Sequence, residues 1–180
     1  MIDTRKFRNE LSDIDKEKLY QKYNLKPENK IVLFTGRLTP DKGILELLEA
    51  FNNLNLNNVI LLIVGSYYFK SDTHSDFEKQ FKDLANSSVR FTGFVEYEDI
   101  PKTYQLADIV VLPSIWEDPA PLTVIEALSA GVPLITTDSG GIPEYVKGTD
   151  TIVLTRDENL VNNITSSIRN LLNNEYKLSI

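Results

Sequence analysis

Short apolar, β-branched runs alternate with stretches of helical periodicity, and this alternation limits the fold more than any other feature of the chain. Ile31–Gly36 (IVLFTG) is one such run, closed by glycine; Lys42–Leu54 follows with Ile44, Leu47, Leu48 and Phe51 at the spacing of one helix face. Asn58–Gly65 (NVILLIVG) repeats the first pattern, and Ser75–Ala85, with Phe77, Phe81, Leu84 and Ala85, repeats the second. Val89–Gly93, Asp108–Pro113, Pro133–Thr136 and Thr151–Leu154 read as further strands. Asp99–Leu106, Leu122–Ala130, Ile142–Val146 and Glu158–Leu172 read as the helices between and after them. Strands this apolar leave no face for water, so helices must cover both sides of the sheet, and strand–helix alternation makes that sheet mostly parallel. The expected fold class is α/β, with about six mostly parallel strands and helices on both faces. Residues 1–180 suit a single domain, and no repeat or linker divides them.

Composition narrows the chemistry. There is no cysteine, which removes disulfides, thiolate metal sites and cysteine nucleophiles. A single histidine, His74, excludes a two-histidine metal site made by this chain alone, and it is expected in an exposed loop among polar residues. The net charge of -7 disfavours nucleic acid and anionic membranes as partners. Any anionic ligand then needs a local arrangement. The N-terminal stretch Met1–Leu11 is polar and lacks the apolar core of a signal peptide, and no apolar run approaches the ~20 residues of a membrane helix. A cytoplasmic location without membrane insertion is the expectation. The glycine fingerprints of dinucleotide and P-loop sites and the nucleophile elbow are all absent.

Parallel α/β sheets bind ligands at the carboxyl ends of their strands, so the loops that follow strands are the places to look. The first is Gly36-Arg37-Leu38-Thr39-Pro40-Asp41-Lys42-Gly43. Gly36 permits close backbone approach, Arg37 is a planar fixed cation, and Lys42 is a mobile point charge at a helix start. An anion between the two cations, or a solvated turn offset by Asp41, each satisfies this pattern. The second loop runs from Pro113 into the helix at Leu122 and carries Trp116, Glu117 and Asp118, with Glu126 one turn inside that helix. Two carboxylates so placed can straddle a ligand whose sugar hydroxyls they accept. The alternative is electrostatic support of the helix end by Asp118 or Glu117, with Glu126 on a solvated face. Glu126 lies among Val124, Ile125, Ala127 and Leu128, where a carboxylate needs a partner; Trp116 is expected to pack. Asp138–Glu144, with Gly140 and Gly141, and the aromatic Gly65–Phe69 stretch are weaker candidates, each compatible with a plain turn or surface packing.

Taken in order, Phe34–Phe51, Leu61–Ser66, Val89–Val95 and Ile100–Val146 resemble the C-terminal, donor-binding domain of the retaining group 1 nucleotide-sugar glycosyltransferases. The resemblance covers nearly the whole chain. It implies a Rossmann-like three-layer sandwich, one of the two such domains in the GT-B architecture. It also implies a hexosyltransferase-type reaction in which a nucleoside-diphosphate sugar, UDP-linked ahead of GDP-linked, gives its sugar to an acceptor hydroxyl with retention. The setting it suggests is cell-surface polysaccharide or glycolipid synthesis, with the full enzyme peripheral on the inner membrane face. Arg37 and Lys42 are expected on the donor diphosphate, Asp118 near the transferred sugar and Glu126 on the ribose, the spacing of the family's paired carboxylates. Pro119, Ala120, Pro121, Leu122 and Thr123 match the loop whose amides meet sugar and phosphates; Gly36, Gly65 and Val95 fall near the rest of the donor. No cofactor and no metal are expected, since the cations can offset the leaving charge.

The chain departs from the family in four ways. Asp118 stands where glutamate is usual, with Glu117 beside it as a possible substitute, and Pro119-Ala120-Pro121 replaces a glycine-rich loop. The family's N-terminal acceptor domain has no counterpart, and the chain stops at Tyr176–Ile180, before the family's closing helix. Met1–Phe7 resembles the interdomain segment, so Met1 is expected to be an added start on an excised domain that binds donor without turnover. The alternative is a non-catalytic nucleotide- or partner-binding module of the same fold.

Overall fold

Every strand of the sheet runs parallel to its neighbours, in the order β3-β2-β1-β4-β5-β6. This is seen in a computed structural model that describes residues 3–66, 76–117 and 122–173. The strands are β1 (Lys30–Thr35), β2 (Val59–Val64), β3 (Val89–Gly93), β4 (Ile109–Leu112), β5 (Leu134–Thr137) and β6 (Ile152–Leu154). Between and around them lie α1 (Asp13–Lys22), α2 (Ile44–Leu54), α3 (Asp76–Leu84), α4 (Ile100–Tyr104), α5 (Leu122–Ala130), α6 (Ile142–Val146) and α7 (Leu160–Asn173). Short 3-10 turns occupy Thr4–Phe7 and Pro40–Lys42. The Rossmann-like sandwich and its alternation are therefore present as expected.

The inner strands β2, β1, β4 and β5 bury both faces because their side chains alternate between two cores, whereas the edge strands β3 and β6 keep exposed members. Val32 and Phe34 of β1 join Leu61 and Ile63 of β2 on one face, beneath α2, α3 and α7. Ile31 and Leu33 join Ile60 and Leu62 on the other, with Tyr104, Val124 and Ile142 from α4, α5 and α6. Helix α2, after β1, and helix α5, after β4, thus lie on opposite faces of adjacent strands. That is the reversal point at which such sheets open a crevice.

Two N-terminal elements escaped the periodicity reading. Helix α1 starts at a Ser12 cap, whose hydroxyl accepts from the Asp15 amide, but it has no fully buried residue. A helix without an apolar stripe gives no periodic signal. The expected helix from Lys42 instead begins at Ile44, because Gly43 adopts a left-handed conformation (φ 68°) that breaks the helical path. No helix among the described residues is long and apolar enough to cross a membrane.

Candidate functional site

A cleft of about 310 Å³ opens at the carboxyl ends of β1 and β2, against α5. Gly36 and Arg37 enter it from the loop after β1, and Gly65 and Ser66 from the loop after β2. Phe94, Val95 and Tyr97 enter from the segment between β3 and α4, and Thr123 and Glu126 from α5. Thr123 and Glu126 are three residues apart, so the first turn of the helix shows both on one face. The structure therefore brings Gly36, Arg37, Gly65, Val95, Thr123 and Glu126 together. Leu122 is exposed at the start of α5, outside the lining, as is half-buried Lys42. Asp118, Pro119, Ala120 and Pro121 lie outside the described residues, as do Tyr67, Tyr68, Phe69 and His74, so the expectations for them stay expectations.

The floor is made by backbone. Gly65 is needed for contact rather than for a turn alone: a Cβ on it would fall 1.9 Å from the Gly36 carbonyl oxygen. The Leu38 amide donates to the Ser66 carbonyl (3.3 Å), and the Gly65 amide to Gly93 (3.2 Å), lacing the ends of three strands. The cation loop is docked in the same manner. A Cβ on Gly43 would meet the Pro113 carbonyl oxygen at 1.9 Å, so the 3-10 turn that ends in Lys42 lies against the end of β4. Amides of Ile115 (3.0 Å) and Trp116 (3.4 Å) donate to the Asp41 carbonyl. Arg37 is exposed and lines the cleft.

Glu126 is the buried charge of the site, only 5% exposed. The partner its apolar surroundings demanded is Tyr104, whose hydroxyl donates to Glu126 Oε2 at 3.1 Å. Loss of water pushes the carboxyl pKa above the usual glutamate range, and the Tyr104 bond opposes that rise. Tyr104 itself is raised well above an ordinary phenol, chiefly by burial and then by the nearby Glu126. Its hydroxyl also lies 2.7 Å from Thr35 Oγ1 and 3.2 Å from the Thr123 carbonyl.

Sequence reasoning passed over two residues here. Tyr104 was hidden in a short, unremarkable helix. Arg156, a lone arginine after β6, gave no signal because only the strand order places it beside the loops after β4 and β5. Its guanidinium donates to Asp138 Oδ1 (2.9 Å), Glu117 Oε1 (2.9 Å) and the Ile115 carbonyl (3.4 Å), tying three loops together. Glu117, beside Asp118, is thereby engaged toward β6. The Asp138–Glu144 loop acts as a brace: Asp138 holds Arg156 and the Ser139 hydroxyl donates to the Trp116 carbonyl. Trp116, expected to pack, is 72% exposed, because its loop is pinned by backbone and leaves the indole outside.

The profile of the family "Glycosyl transferases group 1" matches residues 15–179. A lipopolysaccharide 1,2-N-acetylglucosaminetransferase of Salmonella typhimurium is 31% identical over 72% of this chain and 36% of its own length. An Escherichia coli enzyme, UDP-Gal:alpha-D-GlcNAc-diphosphoundecaprenol alpha-1,3-galactosyltransferase, is 27% identical over 98% of this chain and 49% of its own. The crystal structure of Anabaena Alr3699/HepE in complex with UDP and glucose superposes with a TM-score of 0.76 at 27% identity, covering 95% of this chain and 46% of that one. The chain spans less than half the length of each of these proteins.

Proposed function

The chain belongs to the group 1 glycosyltransferases, and on that premise we propose that it is the donor-binding half of a retaining hexosyltransferase. The donor is a nucleoside-diphosphate sugar, UDP-linked ahead of GDP-linked. The acceptor hydroxyl belongs to a cell-surface polysaccharide or glycolipid. The observation that carries this reading is the convergence of Arg37, Glu126 and the first turn of α5 on one cleft at the reversal point of the sheet. UDP is favoured because a relative of similar fold holds UDP with glucose and another is named for a UDP-sugar.

Each residue then has a task. As the bond between sugar and diphosphate breaks, negative charge grows on the leaving phosphate. Arg37 and Lys42 stabilise it, together with the amides at the start of α5 around Leu122 and Thr123. Glu126 accepts hydrogen bonds from the ribose, and Asp118 is assigned to the transferred sugar. Val95 and Gly65 flank the base. Pro119, Ala120 and Pro121 are assigned to the loop that meets sugar and phosphates. The other half of the enzyme supplies the acceptor site, so this chain alone binds donor and does not turn it over.

The test is thermal melting and titration with UDP and with GDP at millimolar concentration. One nucleotide raises Tm, and Lys42→Ala weakens its binding at least about tenfold, or ~1.4 kcal/mol. No shift with either nucleotide overturns the donor-site reading. Turnover of a UDP-sugar by this chain alone overturns the binding-only role.

A further inference from the structure

Tyr104 has no exposed surface and lies behind the cleft, outside its lining, bonded to Thr35, Thr123 and Glu126 that line it. Its ring is pinned edge-on by Phe7, with centroids 5.5 Å apart and planes at 70°. Three oxygens surround its hydroxyl: Thr35 Oγ1 at 2.7 Å, Glu126 Oε2 at 3.1 Å and the Thr123 carbonyl at 3.2 Å. A phenol has one proton to give, while an ionised carboxylate and a carbonyl can only accept. Tyr104 therefore donates toward α5 and receives from Thr35. The proton order runs from the end of β1, through α4, to α5.

We propose that Tyr104 is a positioning residue: resting on the donor-site reading, it holds the Glu126 carboxylate in ligand-binding register with the loop after β1. It touches no ligand and acts through Glu126. The other titratable groups on the cleft are Arg37 and Tyr97, and Tyr97 is raised first by burial and then by the charges of Glu126 and Asp3. None of these donates a described hydrogen bond to Glu126. Burial pushes the Glu126 carboxyl upward and the Tyr104 hydroxyl restrains it, so losing the hydroxyl lets it rise further.

The experiment is calorimetric titration of the chain with UDP from acid to neutral pH, for the parent, Tyr104→Phe, Thr35→Val and Glu126→Gln. UDP's own protonation is common to all four and cancels. In the parent, affinity falls through an acidic midpoint that Glu126→Gln lacks. Tyr104→Phe binds about tenfold more weakly near neutrality, and its midpoint lies about one pH unit higher, the worth of one hydrogen bond to a charge. Thr35→Val moves the midpoint the same way by less. A merely structural tyrosine would lower Tm and leave the midpoint in place, and that result overturns the proposal. If Tyr104→Phe fails to fold, Thr35→Val decides, and an unmoved midpoint there is refutation. A parent that binds neither UDP nor GDP overturns the donor-site reading and this role with it; a parent that binds while both variants match it overturns this role alone.

Discussion

Replacing Glu126 by glutamine should make the protein more stable and less able to bind. The residue is 5% exposed, and one described hydrogen bond reaches its carboxyl group, from Tyr104. Desolvation is the larger influence, so the folded-state pKa stands above the unfolded one. Between the two values the native state holds more protons than the unfolded state. Stability from this group is thus fully present below the unfolded pKa and is lost as pH rises through the folded one. Near neutrality the ionised Glu126 is a net cost. Burying an ion costs several kcal/mol, and a hydrogen bond to it returns about 1.5–3 kcal/mol. Glu126→Gln keeps the shape and an acceptor for Tyr104 while removing the charge. The expected gain is on the order of 1 kcal/mol at neutral pH, or about 2–4 °C in Tm for a chain of this size. The gain should shrink on acidification and vanish near pH ~4, where native Glu126 is itself neutral. Scanning calorimetry of both proteins across pH reads this directly, and UDP titration should show at least about tenfold weaker binding. Destabilisation at neutral pH, or a gain that does not depend on pH, would refute the argument that desolvation outweighs the Tyr104 bond.

Gly65→Ala must separate the loops after β1 and β2, since the new Cβ would lie 1.9 Å from the Gly36 carbonyl oxygen at a φ of +152°. Urea unfolding should show a loss of about 2–4 kcal/mol, and an unchanged midpoint would mean the loops part freely. Arg156→Ala cuts three loops loose, but its ion pairs are partly exposed, so stability should fall by only about 1 kcal/mol. The larger effect should be faster hydrogen exchange at Ile115 and Trp116, unrepaired by Arg156→Lys, whose single ammonium cannot fork between Glu117 and Asp138. Unchanged exchange would show that the Asp41 carbonyl and Ser139 hold the loop without Arg156.

Much of this architecture was legible because buried strands announce themselves. Val59–Val64 has no exposed member, and a run that apolar admits few alternatives. The carboxylate in α5 stood out because a charge in an apolar setting must be answered, and the glycines after β1 and β2 because they close apolar strands where backbones can approach. What answered Glu126 could not be read. Tyr104 lies 22 positions away, and only the passage of the chain from edge strand β3 to β4 beside β1 brings α4 under the cleft. Arg156 is a still more distant case, 39 positions from Glu117 and useful only because β4, β5 and β6 are neighbours. Residues that line a site can carry local signals; residues that hold it in place are chosen by topology.

The reversal in the sheet explains why the residue beneath this cleft is a tyrosine. Helices α2 and α5 leave adjacent strands toward opposite faces, so the gap between β1 and α5 has to be filled from elsewhere. A phenylalanine would fill the volume, pack against Phe7 equally well and leave both Thr35 and Glu126 short of a partner in a dry place. Each unanswered polar group there would cost about 1–3 kcal/mol. A charged or amide side chain would satisfy the oxygens but forfeit the apolar contact below them. Tyrosine has an apolar body and one polar tip at the right distance, and that tip meets the end of β1 and helix α5, between which the donor is proposed to sit. An acidic chain with a net charge of -7 can thus present a cation to an anionic ligand and keep its nearest buried carboxylate answered from below, away from the phosphates.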